Sequence, residues 1–167
     1  RALYDDLAAL ALTHPDEPSI CESQAKGAFI LIMAYDEAGQ IDAARALYDD
    51  LAALALTHPD EPSICESQAK GAFILIMAYD EAGQIDAARA LYDDLAALAL
   101  THPDEPSICE SQAQGAFNLL MAYGSVGQID AARALYDDLA ALALTHPDEP
   151  PIREIQARAA RLLEGAI

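Results

Sequence analysis

Between Gln40 and Thr57 the chain reads QIDAARALYDDLAALALT, and this stretch decides the fold. Its apolar residues recur at steps of three and four, which is the spacing of one face of an α-helix. The residues of that face are Ile41, Ala44, Leu47, Tyr48, Leu51 and Leu54. The charged residues fall elsewhere around the helix: Asp42, Arg45, Asp49 and Asp50. The stretch therefore predicts an amphipathic helix.

The same stretch recurs along the chain with a period of 44 residues. Residues 1–44 and 45–88 are identical, and residues 133–167 keep the first half of the unit before they diverge. Residues 89–132 differ from the first two copies at six positions, which are Gln114, Asn118, Leu120, Gly124, Ser125 and Val126. A fixed period of about 20 to 50 residues is typical of a solenoid.

Another helix is predicted between successive copies of this amphipathic helix. Its centre, AFILIMAY from Ala28 to Tyr35, would by itself suit a buried strand. The whole segment is about twenty residues long, however, which favours a helix. Because this helix is apolar nearly all round, neighbours must cover it on several sides. Stacked units provide that cover and a single unit does not, so the repetition supplies the core.

Short polar segments separate the helices. Gly39 occupies the position of a left-handed C-cap, and Asp42 lies in the first turn of the following helix. The segment HPDEPS, residues 58–63, is expected to end that helix at Pro59. Ser63 and Glu66 have the spacing of a capping box, which predicts that the next helix begins there.

The composition limits the classes of partner. The formal net charge is -19, so phosphate groups of nucleic acids and anionic membrane surfaces would be repelled. The longest wholly apolar stretch, Gly27 to Tyr35, is too short to span a bilayer. We therefore expect neither nucleic acid nor membrane as a partner.

The three cysteines, Cys21, Cys65 and Cys109, occupy the same position in successive units. One cysteine per unit does not form a disulfide framework, and reduced thiols indicate a reducing compartment, which we predict to be the cytoplasm. No targeting segment is visible. Because the chain begins with Arg1 inside a repeated unit, we interpret it as a piece of a longer protein.

From Ala28 to Tyr48 the sequence resembles the tetratricopeptide repeat family. The family's tyrosine, turn glycine, alanine, second aromatic and final proline correspond to Tyr35, Gly39, Ala44, Tyr48 and Pro59. The resemblance covers practically the whole chain. The family unit has about 34 residues, so each unit here is about ten longer, and both of its helices are expected to be longer.

The resemblance implies the overall architecture. We predict an all-α fold, a right-handed superhelix of antiparallel helical hairpins with about eight helices, in one domain over residues 1–167. Its units are residues 1–44, 45–88 and 89–132, followed by a half-unit with a capping helix over residues 133–167.

Residues 117–139 also resemble a pentatricopeptide repeat, an RNA-binding relative with the same hairpin geometry. In that family a polar residue after the aromatic helps to select the base. Asn118 occupies this position in one unit, but Ile30 and Ile74 occupy it in the others. Apolar side chains do not read a base edge by hydrogen bonds. RNA binding is therefore the third hypothesis for function.

In the resembled family, the first helix of each hairpin lines a concave groove. A stripe at steps of three and four is implied to face that groove. Its residues are Glu22, Lys26, Phe29, Met33, Asp36 and Glu37 in the first unit, Glu66, Lys70, Phe73, Met77, Asp80 and Glu81 in the second, and Glu110, Gln114, Phe117, Asn118 and Met121 in the third.

Two interpretations of this stripe remain open. Flexible and aromatic apolar groups mixed with charges suit an extended or helical peptide. Alternatively, Phe29 and Met33 pack between adjacent first helices, and Glu22 with Lys26 forms a surface pair. The basic clamp with which chaperone-binding members hold a carboxylate is missing. A basic or amphipathic protein segment is therefore the expected partner.

Two further groups of residues carry side chains that could bind a metal or act in catalysis. His14, Asp16 and Glu17, with their copies 44, 88 and 132 residues later, contain the ligand types of a metal ladder, but no close ligand pairing. Nothing in the sequence orients Cys21 and His14 as nucleophile and base. We predict a non-enzymatic protein without metal or cofactor.

The two ends of the chain differ. The last helix has charged residues on one side, which suits the closure of a stack. Arg1 begins within a second helix whose first-helix partner is missing. This open end is expected to favour end-to-end self-association. The first hypothesis is a scaffold that binds a protein segment in the groove, and the second is a structural spacer or self-stacking array.

Overall fold

The computed structural model describes residues 2–13 and 17–165, so Arg1, His14 and Asp16 lie outside the described residues. Over the described ranges the chain is all-helical, with eight α-helices and no strand, which confirms the predicted fold class. The helices are α1 (Ala2–Thr13), α2 (Pro18–Glu37), α3 (Ile41–Thr57), α4 (Pro62–Glu81), α5 (Ile85–Thr101), α6 (Pro106–Ser125), α7 (Ile129–Thr145) and α8 (Pro150–Gly165). We call α2, α4, α6 and α8 the first helices, and α1, α3, α5 and α7 the second helices.

Three of the four first helices, α2, α4 and α6, are followed by a glycine in the left-handed conformation: Gly39, Gly83 and Gly127. Gly39 has a φ of 67°, and its N–H donates to the carbonyl of Asp36 at 2.8 Å. The N–H of Gln40 donates to the carbonyl of Tyr35, also at 2.8 Å. These two bonds satisfy the last carbonyls of α2, as in a Schellman motif. The predicted C-cap is confirmed, and it turns the chain directly into α3.

The start of the next first helix differs from the prediction. Helix α4 begins at Pro62, its N-cap is Glu61, and no side chain caps it. Ser63 therefore lies inside the first turn, where its hydroxyl has no hydrogen-bond partner. The capping box predicted from Ser63 and Glu66 is wrong. Proline suits the first helical position because its missing N–H would have no partner in the helix anyway.

The helices pack in sequence order, with an asymmetry between the two sides of the stack. Each first helix contacts the next first helix: α2 packs on α4, α4 on α6 and α6 on α8. Each second helix contacts only the first helices on either side of it, and no two described second helices have Cα atoms within 8 Å of each other. The stack is therefore close-packed on one side and open on the other. The right hand of the superhelix stays a prediction.

Equivalent residues in identical units show how much surface a neighbouring unit buries. Leu75 in α4 is fully buried, whereas Leu31, at the same position of α2, is half-buried. Likewise, Ala78 in α4 is buried, whereas Ala34, at the same position of α2, is exposed. Because the local sequences are the same, the difference comes from the preceding hairpin α2–α3, which lies against α4. The core therefore lies between units as much as within them.

This comparison predicts two different costs for one substitution. Leu75→Ala should lower the free energy of unfolding by about 3 kcal/mol, because it leaves a cavity between two units. Leu31→Ala should lower it by about half as much, since Leu31 already keeps contact with solvent. Urea unfolding of both variants measures the difference. Equal losses would contradict the inter-unit core.

Candidate binding surfaces

The structure places the predicted groove stripe along one side of the first helices. Of its seventeen residues, all except Phe117 keep exposed surface. Met33 is 38% exposed and Met121 is 45% exposed, while Met77 between them is half-buried. The stripe therefore presents a row of methionines to solvent.

Phe117 departs from the stripe because the last helix covers it. Its ring is 7% exposed, and the Arg158 guanidinium of α8 lies 4.5 Å from the ring centroid. Phe29 and Phe73 are half-buried, a state between the two predicted interpretations. Aromatic surface therefore remains accessible in the first two units and is lost in the third.

The charged residues at the beginning of the stripe are paired within their own helices. The Lys26 ammonium lies 3.4 Å from Glu22, and the Lys70 ammonium lies 3.2 Å from Glu66. In the third unit the Gln114 amide donates to the Glu110 carboxylate at 3.0 Å. Exposed pairs of this kind contribute only about 0.3–0.5 kcal/mol each. They also leave no lysine of the stripe free to hold an anion.

The other end of the stripe concentrates negative charge. Asp36 and Glu37 end α2, and Asp80 and Glu81 end α4. Burial raises the pKa of Asp36, and the carboxylates of Glu81, from the next unit, and Glu37 raise it further. These acids also lie at the negative ends of helix dipoles, which is unfavourable. The stripe thus carries charge at a cost in stability.

The raised pKa of Asp36 predicts that the stability of the chain depends on pH. The folded state raises the pKa of Asp36 and so destabilises its charged form, and this penalty is present at neutral pH and disappears as the pH falls through the folded pKa. Asp36→Asn should therefore stabilise the chain at pH 7 by about 0.5 kcal/mol, and the gain should vanish in acid.

The control is Asp42→Asn at the opposite end of a helix. Asp42 lies in the first turn of α3, where negative charge favours the helix. This variant should lower stability at pH 7. Thermal unfolding from neutral to acidic pH measures both effects, and a loss of stability in Asp36→Asn at pH 7 would contradict the assignment.

A second surface, which the sequence did not predict, lies between successive second helices. A cleft of about 720 Å³ separates α3 from α5, and a cleft of about 520 Å³ separates α5 from α7. Residues of the intervening first helix, Cys65 and Gln68 in the larger cleft, contribute to its lining. Both clefts follow from the open packing of the second helices.

Each cleft has a leucine at its edge that is almost fully in solvent. Leu56 lines the larger cleft and Leu100 lines the smaller one, and each is 83% exposed. Leu144, their counterpart in α7, is 81% exposed and lines neither cleft. The sequence could have indicated that these leucines are exposed, because they lie outside the predicted apolar stripe of each second helix.

The cysteines and histidines join neighbouring units. The ring nitrogen Nε2 of His146 donates to the Pro103 carbonyl at 2.9 Å, and the Cys109 Sγ lies 3.4 Å from the same nitrogen. Cys21 and His58 make the equivalent 3.4 Å contact. The partner of Cys21 is therefore His58, a histidine 37 residues away. His14, the base considered for Cys21 from the sequence, lies outside the described residues.

The chemistry of these thiols is that of buried neutral groups. Burial raises the pKa of Cys21, Cys65 and Cys109, so they remain protonated at neutral pH. All three are free. A protonated thiol is a poor nucleophile and a poor metal ligand. The Cys109–His146 contact is therefore best explained as a link between units.

The described residues contain no further candidate site of the kinds considered below, and no known protein matches the chain. Among residues 2–13 and 17–165, no group of three or more His, Cys, Asp or Glu side chains is placed to hold a metal ion. None of the helices described is both long and apolar enough to cross a membrane. No family model, curated protein or solved structure matches the chain.

Proposed function

We propose that the chain is a non-enzymatic scaffold of the tetratricopeptide-like type, which binds a protein segment along its first helices. The observation that carries the proposal is the asymmetric packing. Over residues 2–13 and 17–165, first helices lie against one another and second helices do not, so the stack is closer on the first-helix side and should curve toward it. The stripe with Met33, Met77 and Met121 then lines the inner wall.

The charge of the stripe indicates the chemistry of the partner. Four carboxylates end α2 and α4, and the two lysines at the beginning of the stripe are already paired with glutamates. A basic or amphipathic segment would relieve the repulsion around Asp36 and cover the methionine row. RNA remains the disfavoured third candidate, because its phosphates would meet the same carboxylates. A cytoplasmic location stays a prediction that rests on the three reduced thiols.

Binding can be followed at three positions that all lie on the stripe. The chain has three methionines, so a spectrum of ¹³C-methyl methionine reports on this surface alone. Peptides of twelve random residues, selected for binding at physiological salt, should be rich in Lys or Arg with large apolar residues. Selected peptides that bind the stripe should shift the methyl signals of Met33 and Met77.

Two variants test whether the stripe itself is responsible. Phe73→Ala should weaken the selected peptides by about tenfold, because it removes a half-buried aromatic of the stripe. Leu144→Asp, on a second helix, should leave their affinity unchanged. The groove is rejected if none of the tightly bound peptides shifts any of the three methyl signals.

The open face of α2 offers one of the two surfaces that the second candidate, a self-stacking array, requires. Ile30 is 62% exposed there, whereas its counterpart Ile74 is half-buried by the preceding hairpin. At the other end, α8 has exposed Arg153 and Glu164 where α2 has buried Cys21 and Ile32. A head-to-tail array would have to bury those charges.

Self-association should therefore stop at two copies that meet through α2. Light scattering at increasing concentration should approach twice the 17.8 kDa of one chain and not exceed it. Ile30→Glu should restore the single-chain mass, because it places a charge on the open face. Ile74→Glu is unsuitable as a control because it perturbs the stack, so Leu144→Asp serves instead. Masses that grow without limit would support the array.

A further inference from the structure

The clefts between second helices have the form of a docking surface rather than of solvated gaps. In the larger cleft, α3 contributes Ala52, Ala55 and Leu56, and α5 contributes Ala97 and Leu98. Short side chains leave both walls low, and the leucine supplies an apolar edge. Keeping a leucine in water forfeits most of the stabilisation that its burial would give. The same arrangement recurs in the smaller cleft around Leu100.

The length and walls of the cleft favour a helix as its occupant. The α3 wall extends from Arg45 to Leu56, about 16 Å along a helix axis. That length accommodates about three turns of a bound helix. An extended peptide would place unpaired N–H and C=O groups against apolar walls, whereas a helix satisfies its own backbone groups. The helices that form the walls offer no backbone edge to pair with a strand.

The charges around the cleft specify the flanks of that helix. The Arg45 guanidinium is already used, since it pairs with Asp49 at 2.8 Å and lies 5.6 Å from the Tyr48 ring centroid. Asp60 and Asp94 line the same cleft, and neither forms an ion pair among the described residues. The remaining charge is therefore negative, which favours lysine or arginine on the partner.

A second copy of this chain fits the cleft poorly. The exposed sides of the second helices carry two consecutive aspartates, such as Asp49 and Asp50. A helix from another copy would bring those carboxylates toward Asp60 and Asp94. The charge pattern therefore favours a different protein.

We propose that each cleft between successive second helices binds one amphipathic α-helix of a partner protein. The helix places leucine-sized side chains beside Leu56 or Leu100 and directs lysine or arginine toward the aspartates. This surface is on the opposite side of the units from the first-helix stripe. It therefore stands or fails independently of the proposed function.

The test uses the full chain and a defined helical probe. The probe is a fluorescein-labelled peptide, LKKLLKLLKKLLKL, which forms an amphipathic helix with apolar residues on one face. Analytical titration gives the number of peptides bound per chain. Leu56→Asp and Leu100→Asp should each remove one bound peptide per chain, and the double variant should remove two.

Leu144→Asp is a matched control, because Leu144 has the same local sequence and nearly the same exposure but lines neither cleft. It should remove no bound peptide. All three substitutions add the same negative charge, which by itself would strengthen the attraction of a basic probe. A loss at Leu56 and Leu100 alone therefore identifies the clefts.

A second peptide distinguishes the binding of a helix from the binding of any basic peptide. Two prolines at the centre of the probe prevent a continuous helix, and this version should bind the clefts at least about tenfold more weakly. The proposal is overturned if Leu144→Asp loses as much binding as Leu56→Asp, or if the proline peptide binds equally well. It is also overturned if the chain forms dimers that Leu56→Asp abolishes, because the occupant is then a second copy.

Discussion

The fold depends on the need of each first helix for cover on more than one side. Helix α4 buries residues toward its own hairpin partner, toward the preceding unit and toward the next one. No helical hairpin provides three covering surfaces by itself, so the units stabilise one another in a row. The identical helix α2 demonstrates the dependence, since the face without a preceding first helix keeps Ile30 and Ala34 in solvent.

The same requirement produces two unlike sides. Small residues such as Ala72 and Ala78 on the first helices are buried, and neighbouring first helices pack directly on one another. The second helices need cover only on the stripe that faces the first helices, so they remain apart. One side becomes a continuous wall with methionines, and the other becomes a series of clefts. Both proposed surfaces follow from this difference in packing.

Negative charge is distributed over both sides, and its placement opposes stability at some positions. Carboxylates at the end of α2 meet those of α4 and raise the pKa of Asp36. In the third unit Gly124 and Ser125 replace these acids, so the fold does not require them. Charge that the fold does not need and that lowers its stability is the observation on which the proposal of a partner with opposite charge rests.

The sequence by itself determined the helices, their order and the turns at the glycines, because these depend on local periodicity and on backbone conformation at one residue. It also located the apolar stripe of each second helix, where Leu47 and Leu51 are buried. It missed the start of α4, because Pro62 and Ser63 are both good helix-start residues and only the backbone decides between them.

Only the tertiary structure decided which surfaces are accessible. Phe29, Phe73 and Phe117 have the same place in their units, yet Phe117 alone is buried, because α8 brings Arg158 over its ring. The clefts beside Leu56 and Leu100, and the contact of Cys109 with His146, likewise depend on distances between units. A repeated sequence specifies each unit identically, but the neighbours of each unit differ, and exposure is set by the neighbours.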